Sequence, residues 1–161
     1  MSEAARTSRR ARRAFASALS RLEEAVGGAC SAHDTWPTNL IAAVRAGLEL
    51  AAADPAAAKL LIIDAAADPE GIDFHRRMID HLAERLRDAA GAQGPPSAGQ
   101  ERSLILGVLG MVTIRLTLDQ ARTLPTVTLE AAEFLFAPYL VDEPTRRLIA
   151  GAIDLSLSGR S

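Results

Sequence analysis

A single cysteine and three histidines are the metal-ligating and nucleophilic side chains of most interest in this 161-residue chain. Cys30 and His33 are three residues apart beside a glycine-rich stretch, whereas His75 and His81 are six apart and fall on different sides of a helix. A zinc site needs about four converging His, Cys or carboxylate ligands. These spacings do not supply such a set, so the sequence predicts neither a metal site nor a cofactor.

Motifs for nucleophilic catalysis and for phosphate binding are missing as well. Cys30 has no recognisable base, and Ser17 and Ser103 fall in helical surroundings without the sharp turn that exposes a nucleophilic serine. Gly107 and Gly110 lie inside an apolar stretch rather than in a loop after a strand, which favours close helix packing over phosphate binding. We therefore expect a protein that is not an enzyme.

Arginine supplies almost all of the positive charge, and five arginines lie within residues 1–20 against one glutamate there. Such a cluster is typical either of contact with phosphates or of a solvated helix start. No aromatic residues are interleaved with these arginines, no second basic patch accompanies them, and the net charge of the chain is −2. The sequence therefore predicts no DNA-binding residues.

Arg115 lies in the most apolar segment of the chain, near Met111. A charge in such a place is costly unless it is paired or faces a polar cavity. One interpretation is an ion pair with Asp119, one turn later, or with an acid from another helix. The other is a role in ligand recognition or at a subunit interface.

The elements that position these residues are predicted to be helices. The chain has 32 alanines and 48% hydrophobic residues, but only 4% aromatic residues, and this composition favours helix over strand. We predict an all-α, multi-helix bundle of six to seven helices in a single domain, residues 1–161. Apolar periodicity, Asp-Pro pairs and a Gly/Pro-rich connection at 91–99 place the helices at 4–30, 37–53, 55–66, 69–90, 100–120, 126–140 and 144–157.

The compartment expected from the sequence is the cytoplasm. One cysteine cannot form an internal disulfide, and no apolar core follows the basic N-terminus as it would in a secretory signal. The longest apolar run, Leu104 to Leu118, would extend about 22 Å as a helix, which is short of the roughly 30 Å hydrocarbon core of a membrane. We expect no membrane span.

Four segments carry a family likeness through the order of their helices, an Asp-Pro before a short apolar helix, and a closing Ala-Pro-Tyr-Leu. They are DTWPTNLIAAVRAGLELAAADPAAAKLLIIDA at 34–65, RRMIDHLAERLRDA at 76–89, LILGVLGMVTIRL at 104–116 and TLEAAEFLFAPYL at 128–140. Together they resemble the C-terminal regulatory half of the tetracycline-repressor (TetR) family of bacterial transcription regulators. The likeness covers residues 13–141, between a basic head at 1–12 and a short terminal helix and tail at 142–161.

The resemblance implies a ligand-sensing and homodimerising domain. A small, mostly apolar effector would lie between the first, second, fourth and fifth predicted helices, and the fifth and sixth helices of two copies would form a four-helix bundle. The ligand-binding residues expected on this basis are Leu22, Val44, Leu48, Met78, Leu82, Met111 and Arg115. The expected interface residues are Leu104, Val108, Val112, Leu129 and Phe136.

In that family a three-helix module with a helix-turn-helix precedes the regulatory half and enters the major groove. Nothing before Arg13 resembles this module. We therefore expect DNA contact only where a helix-turn-helix is supplied upstream or by a partner. Two alternatives stay open. The chain could be a stand-alone interaction protein that pairs with a full-length repressor and titrates it from DNA, or it could come from a truncated gene model of a complete DNA-binding repressor.

Overall fold

Helices form all the regular secondary structure in residues 3–31, 33–91 and 99–159, the part of the chain that the computed structural model describes. A π-helical turn, Leu60–Asp64, joins α3 to α4 without a break, and 3₁₀ turns at Ala121–Val127 and Ala137–Tyr139 flank α7. The helices are α1 (Glu3–Ala29), α2 (Trp36–Ala53), α3 (Pro55–Lys59), α4 (Ala65–Ala67), α5 (Ile72–Ala90), α6 (Gln100–Thr117), α7 (Thr128–Phe136) and α8 (Glu143–Ser158). The predicted all-α bundle is confirmed. Residues 92–98 of the predicted connection lie outside the described residues.

One of the two Asp-Pro pairs begins a helix where the sequence predicts it. The Asp54 carboxylate accepts a hydrogen bond of 3.0 Å from the backbone N–H of Ala57, and Pro55 supplies the first residue of α3. This is the usual N-cap arrangement, since proline has no N–H to leave unsatisfied in a first turn.

The second Asp-Pro pair forms a turn instead, and α5 begins three residues later than predicted. The Asp68 carboxylate accepts from the backbone N–H of Glu70 at 2.7 Å, and the helix starts at Ile72 after Gly71. The reason is tertiary, because Gly71 packs directly against the backbone of Ala65. That contact holds the start of α4 against the start of α5.

The π-helical turn is where α3 and α4 meet the rest of the bundle. Its wider winding leaves the Leu61 carbonyl available, and Nδ1 of His75 lies 3.2 Å from that oxygen. A carbonyl oxygen can only accept, so Nδ1 carries the proton and donates it. His75 therefore connects α5 to the π-helical turn, which is a structural role.

The core lies between α1, α2, α5 and α6, and α7 closes it from one side. The Phe15 and Phe74 rings stack with centroids 5.8 Å apart, joining α1 to α5. On the other side the Trp36 ring packs against Phe136 and Tyr139 at 5.6 and 5.5 Å. These aromatic contacts join α1 to α5 and α2 to α7, and α1, α2 and α5 also surround the site described below.

None of the helices in the described ranges combines the length and the apolar character that crossing a bilayer requires. This includes α6, which is apolar on most of its sides.

An ion pair between α5 and α6 gives the fold a predictable response to acid. The buried Glu101 carboxylate accepts a hydrogen bond from its own backbone N–H and one of 3.1 Å from Nε of Arg87. These bonds outweigh the effect of burial and hold the pKa of Glu101 below its ordinary value of 4.5.

We expect this carboxylate to stabilise the fold fully above about pH 4.5, the range in which it is ionised in the unfolded chain too. The contribution is lost as the pH falls through the lower pKa of the folded state. Glu101→Gln should therefore lose less stability than the wild type between about pH 5 and pH 3. Urea unfolding at several pH values measures this, and equal acid sensitivity of the two proteins would contradict it.

Candidate functional site

An apolar cavity of about 140 Å³ lies among α1, α2, α5 and α6. Residues of α3 and of the π-helical turn line a further side of the cavity, and Leu135 of α7 also lines it. Almost all the surface that faces the cavity is carbon. Three of the residues that line it are charged. A space of this kind suits an apolar ligand rather than a reaction centre.

The cavity exists because many of its walls are built from very small side chains. Gly47 lies where α2 faces α1, and a methyl group placed on it would be 3.7 Å from a Val26 methyl and 3.9 Å from a Leu22 methyl. Beside it the walls contain five alanines: Ala18, Ala43, Ala51, Ala57 and Ala58. The alanine-rich composition thus brings the helices together without filling the space between them.

The structure brings together five of the seven predicted ligand-binding residues. Residues four apart on one helix lie on the same face, which brings the predicted residues of α2 and of α5 to the inward faces of those helices. The five residues in the cavity wall are Leu22 on α1, Val44 and Leu48 on α2, and Met78 and Leu82 on α5.

The other two predicted residues, Met111 and Arg115, do not line the cavity. Arg115 instead donates a hydrogen bond of 2.9 Å to Oγ1 of Thr123, in the 3₁₀ turn before α7. The expected ion pair between Arg115 and Asp119 is wrong, since Asp119 pairs with Lys59 at 3.0 Å. The helix ends at Thr117, and the left-handed backbone of Asp119 (φ 55°) turns its side chain away from the last helical turn.

Sequence reasoning missed the charged residues of the cavity wall. Arg21 and Asp54 form an ion pair of 2.8 Å that spans from α1 to the start of α3, while Arg85 lies on α5. Asp54 is recognisable as a helix cap, but its second partner on α1 is 33 residues away and has no local signal. Arg85 follows Met78 and Leu82 at helical spacing, which is the signal that could have found it.

Cys30 is half-buried in the wall of the cavity near Arg85. Burial raises the pKa of its thiol, which Arg85 lowers to a smaller extent and Asp88 raises. The thiol is therefore neutral at physiological pH and contributes an essentially apolar surface. In the ranges that the structure describes, no group of three or more His, Cys, Asp or Glu side chains is arranged to hold a metal ion.

The residues predicted for a dimer interface belong to the chain's own interior. Leu104, Val112 and Phe136 are buried in its core, Val108 lines the cavity, and Leu129 is half-buried against the core. The reason is that α6 is apolar almost all round, so its sequence does not show which side faces inward.

A different face of α6 and α7 is exposed, and we call it the α6–α7 face. Leu106, Gly110 and Ile114 are four residues apart along α6 and point to solvent, and the exposed Phe134 of α7 lies over Gly107. A methyl group on Gly107 would come within 2.5 Å of the Phe134 ring, so glycine leaves room for this ring to lie against α6. The result is a continuous apolar surface on two packed helices.

No family model, no curated protein sequence and no solved structure matches this chain.

Proposed function

We propose that this chain is the ligand-sensing and homodimerising regulatory domain of a TetR-like transcriptional regulator. The observation that carries the proposal is the apolar cavity, one wall of which is α1. The resemblance makes α1 the helix that joins the ligand domain to the DNA-reading module. In this proposal the chain is not an enzyme, acts in the cytoplasm, and contacts DNA only through a helix-turn-helix supplied upstream or by a partner.

The size and polarity of the cavity support a small, mostly apolar effector. An engineered apolar cavity of about 150 Å³ in another protein stays dry and binds benzene. The cavity here is of similar volume, so an effector would gain apolar contacts without displacing tightly held water.

Ligand occupancy would be sensed through α1. Leu22 and Val26 of α1 face the cavity, and Gly47 of α2 lies opposite them. A ligand that touches these side chains favours whichever position of α1 gives it the most contact, and so shifts the population between positions. The same shift would be passed to any module joined to α1.

A second copy of the chain would cover the α6–α7 face. Its apolar side chains lie on two neighbouring helices, the arrangement from which a two-fold axis builds a four-helix bundle. This supports the homodimer of the proposal, with an interface on the outward side of α6 rather than at the residues predicted from the sequence.

The ligand part of the proposal is tested by filling the cavity. We expect Val44→Phe to reduce binding of small apolar compounds at least about tenfold, because the added ring occupies the space that a ligand needs. Val141→Phe is the matched control, since Val141 is 72% exposed and lies outside the cavity wall. Binding is measured as the thermal shift caused by a panel of apolar compounds.

Cys30 provides a second measurement of occupancy at the same site. It is the chain's one cysteine and lies in the cavity wall, so a bound compound should slow its alkylation in the wild type and in Val141→Phe, but not in Val44→Phe. Equal binding and equal protection in all three proteins would overturn the proposal, because the compounds would then bind elsewhere.

A further inference from the structure

We infer that the effector is an amphiphile with a carboxylate head group, which Arg85 binds at the mouth of the cavity, and a buried apolar part of about six carbon atoms. This inference rests on the proposed function and names the chemical class of its ligand.

The first support is the pairing of the charged residues around the cavity. Arg21 and Asp54 neutralise each other at 2.8 Å. Arg85 is different, because within the part of the chain that the structure describes no hydrogen bond or ion pair holds its guanidinium. One positive charge is therefore left over in a wall that is otherwise almost entirely carbon.

Arg85 is exposed and also lines the cavity, so its charge lies where the cavity meets solvent. One of its guanidinium nitrogens would lie 3.8 Å from a methyl group on Gly27, so the side chain lies across the C-terminal part of α1. The guanidinium offers several N–H donors in one plane, a geometry that matches the two oxygens of a carboxylate.

Two charged side chains act on the Cys30 thiol at this end of the cavity, and the positive one has the larger effect, although burial raises the pKa of the thiol overall. The positive side chain is Arg85, and the opposing one is Asp88. The net effect of these two side chains at Cys30 is therefore that of a positive charge, which attracts a carboxylate and repels an ammonium group.

The volume sets the size of the apolar part. About 140 Å³ compares with the roughly 150 Å³ that accommodates benzene, which corresponds to about six carbon atoms. A saturated chain of eight carbons would then bury most of its methylene groups and leave its head group near Arg85. Octanoate and octan-1-ol are a matched pair of probes, since they share the chain and differ in the charge of the head.

The experiment is calorimetric titration of both probes into the wild type, Arg85→Gln and Arg76→Gln. We expect octanoate to bind the wild type more tightly than octan-1-ol, and Arg85→Gln to weaken octanoate about tenfold while it leaves octan-1-ol unchanged. Arg76→Gln is the control, because it removes a cation from the exposed side of the same helix. It should bind both probes as the wild type does.

The outcomes separate this inference from the proposed function. If octan-1-ol binds as tightly as octanoate, or if Arg85→Gln weakens both equally, the assignment of a carboxylate is overturned. If in addition Val44→Phe abolishes octan-1-ol binding, the apolar site itself stands. If neither probe binds, the inference fails. The proposed function is then tested separately by the thermal shifts that the panel of neutral apolar compounds causes.

Discussion

Replacing Ile114 by Glu is expected to convert a dimer of this chain into monomers and to raise its dissociation constant at least about a hundredfold. Ile114 is 62% exposed in one copy and lies on the α6–α7 face between Gly110 and the end of α6. In a two-fold interface the substitution occurs twice, so two carboxylates would be buried without partners. The desolvation cost of an unpaired charge is several kcal/mol, whereas each factor of ten costs about 1.4 kcal/mol.

Sedimentation velocity at micromolar concentration measures this effect. Leu155→Glu is the matched control, since it adds the same charge at a position on α8 that is 69% exposed and outside the α6–α7 face, and it should remain dimeric. Both variants should keep the wild-type helical circular dichroism, because neither side chain supports the core. A wild type that sediments as a monomer, or an Ile114→Glu variant that stays dimeric, would contradict the proposed interface.

Replacing Gly71 by Ala is expected to lower the free energy of unfolding by about 3 kcal/mol, a large share of the stability of a domain of this size. A methyl group on Gly71 would lie 2.6 Å from Cα and 2.9 Å from the carbonyl oxygen of Ala65. These are backbone atoms of the first residue of α4, so the clash cannot be relieved by rotating a side chain. The start of α5 would have to move, and Phe15, 3.0 Å from the same methyl position, would move with it.

Gly28→Ala is the control for this substitution. Gly28 is exposed in α1, and a methyl group there would have nothing within 4 Å, so alanine should raise the stability by up to about 1 kcal/mol through its higher helix propensity. Urea unfolding followed by circular dichroism compares the two variants with the wild type. If Gly71→Ala unfolds at the wild-type midpoint, the contact between Gly71 and Ala65 is not what positions α5.

The helices could be predicted from the sequence because their signals are local. The Asp54-Pro55 pair marks the start of α3, and the helix predicted at 126–140 corresponds to α7, which ends at Phe136, two residues before Pro138. The start of α5 was misplaced because the contact between Gly71 and the Ala65 backbone decides it, and no residue pattern in the sequence indicates this contact. The 3₁₀ turn at Ala121–Val127 was not predicted either, since the sequence leaves residues 121–125 between two helices and begins the second helix at 126.

The cavity wall could be predicted in part for the same reason. Regular apolar spacing on α1 and α5 identifies inward positions such as Leu22 and Met78. On α6 this signal disappears, because the helix carries apolar residues on almost all of its sides. Val112 was therefore predicted to lie at a subunit interface, whereas it is buried in the chain's own core. Arg85 was missed because the pattern identifies apolar side chains only, although Arg85 follows Leu82 at the same helical spacing.

The small side chains around the cavity have a consequence for how such a protein changes over generations. Each of Ala43, Ala51 and Ala58 marks a place where a single codon change to valine adds two methyl groups to the wall while the backbone stays where it is. In the proposed sensor, ligand preference would therefore change in small volume steps, independently of the α6–α7 face and of the Gly71 contact that holds α4 to α5. A bundle built this way keeps its architecture while the shape of its interior diverges.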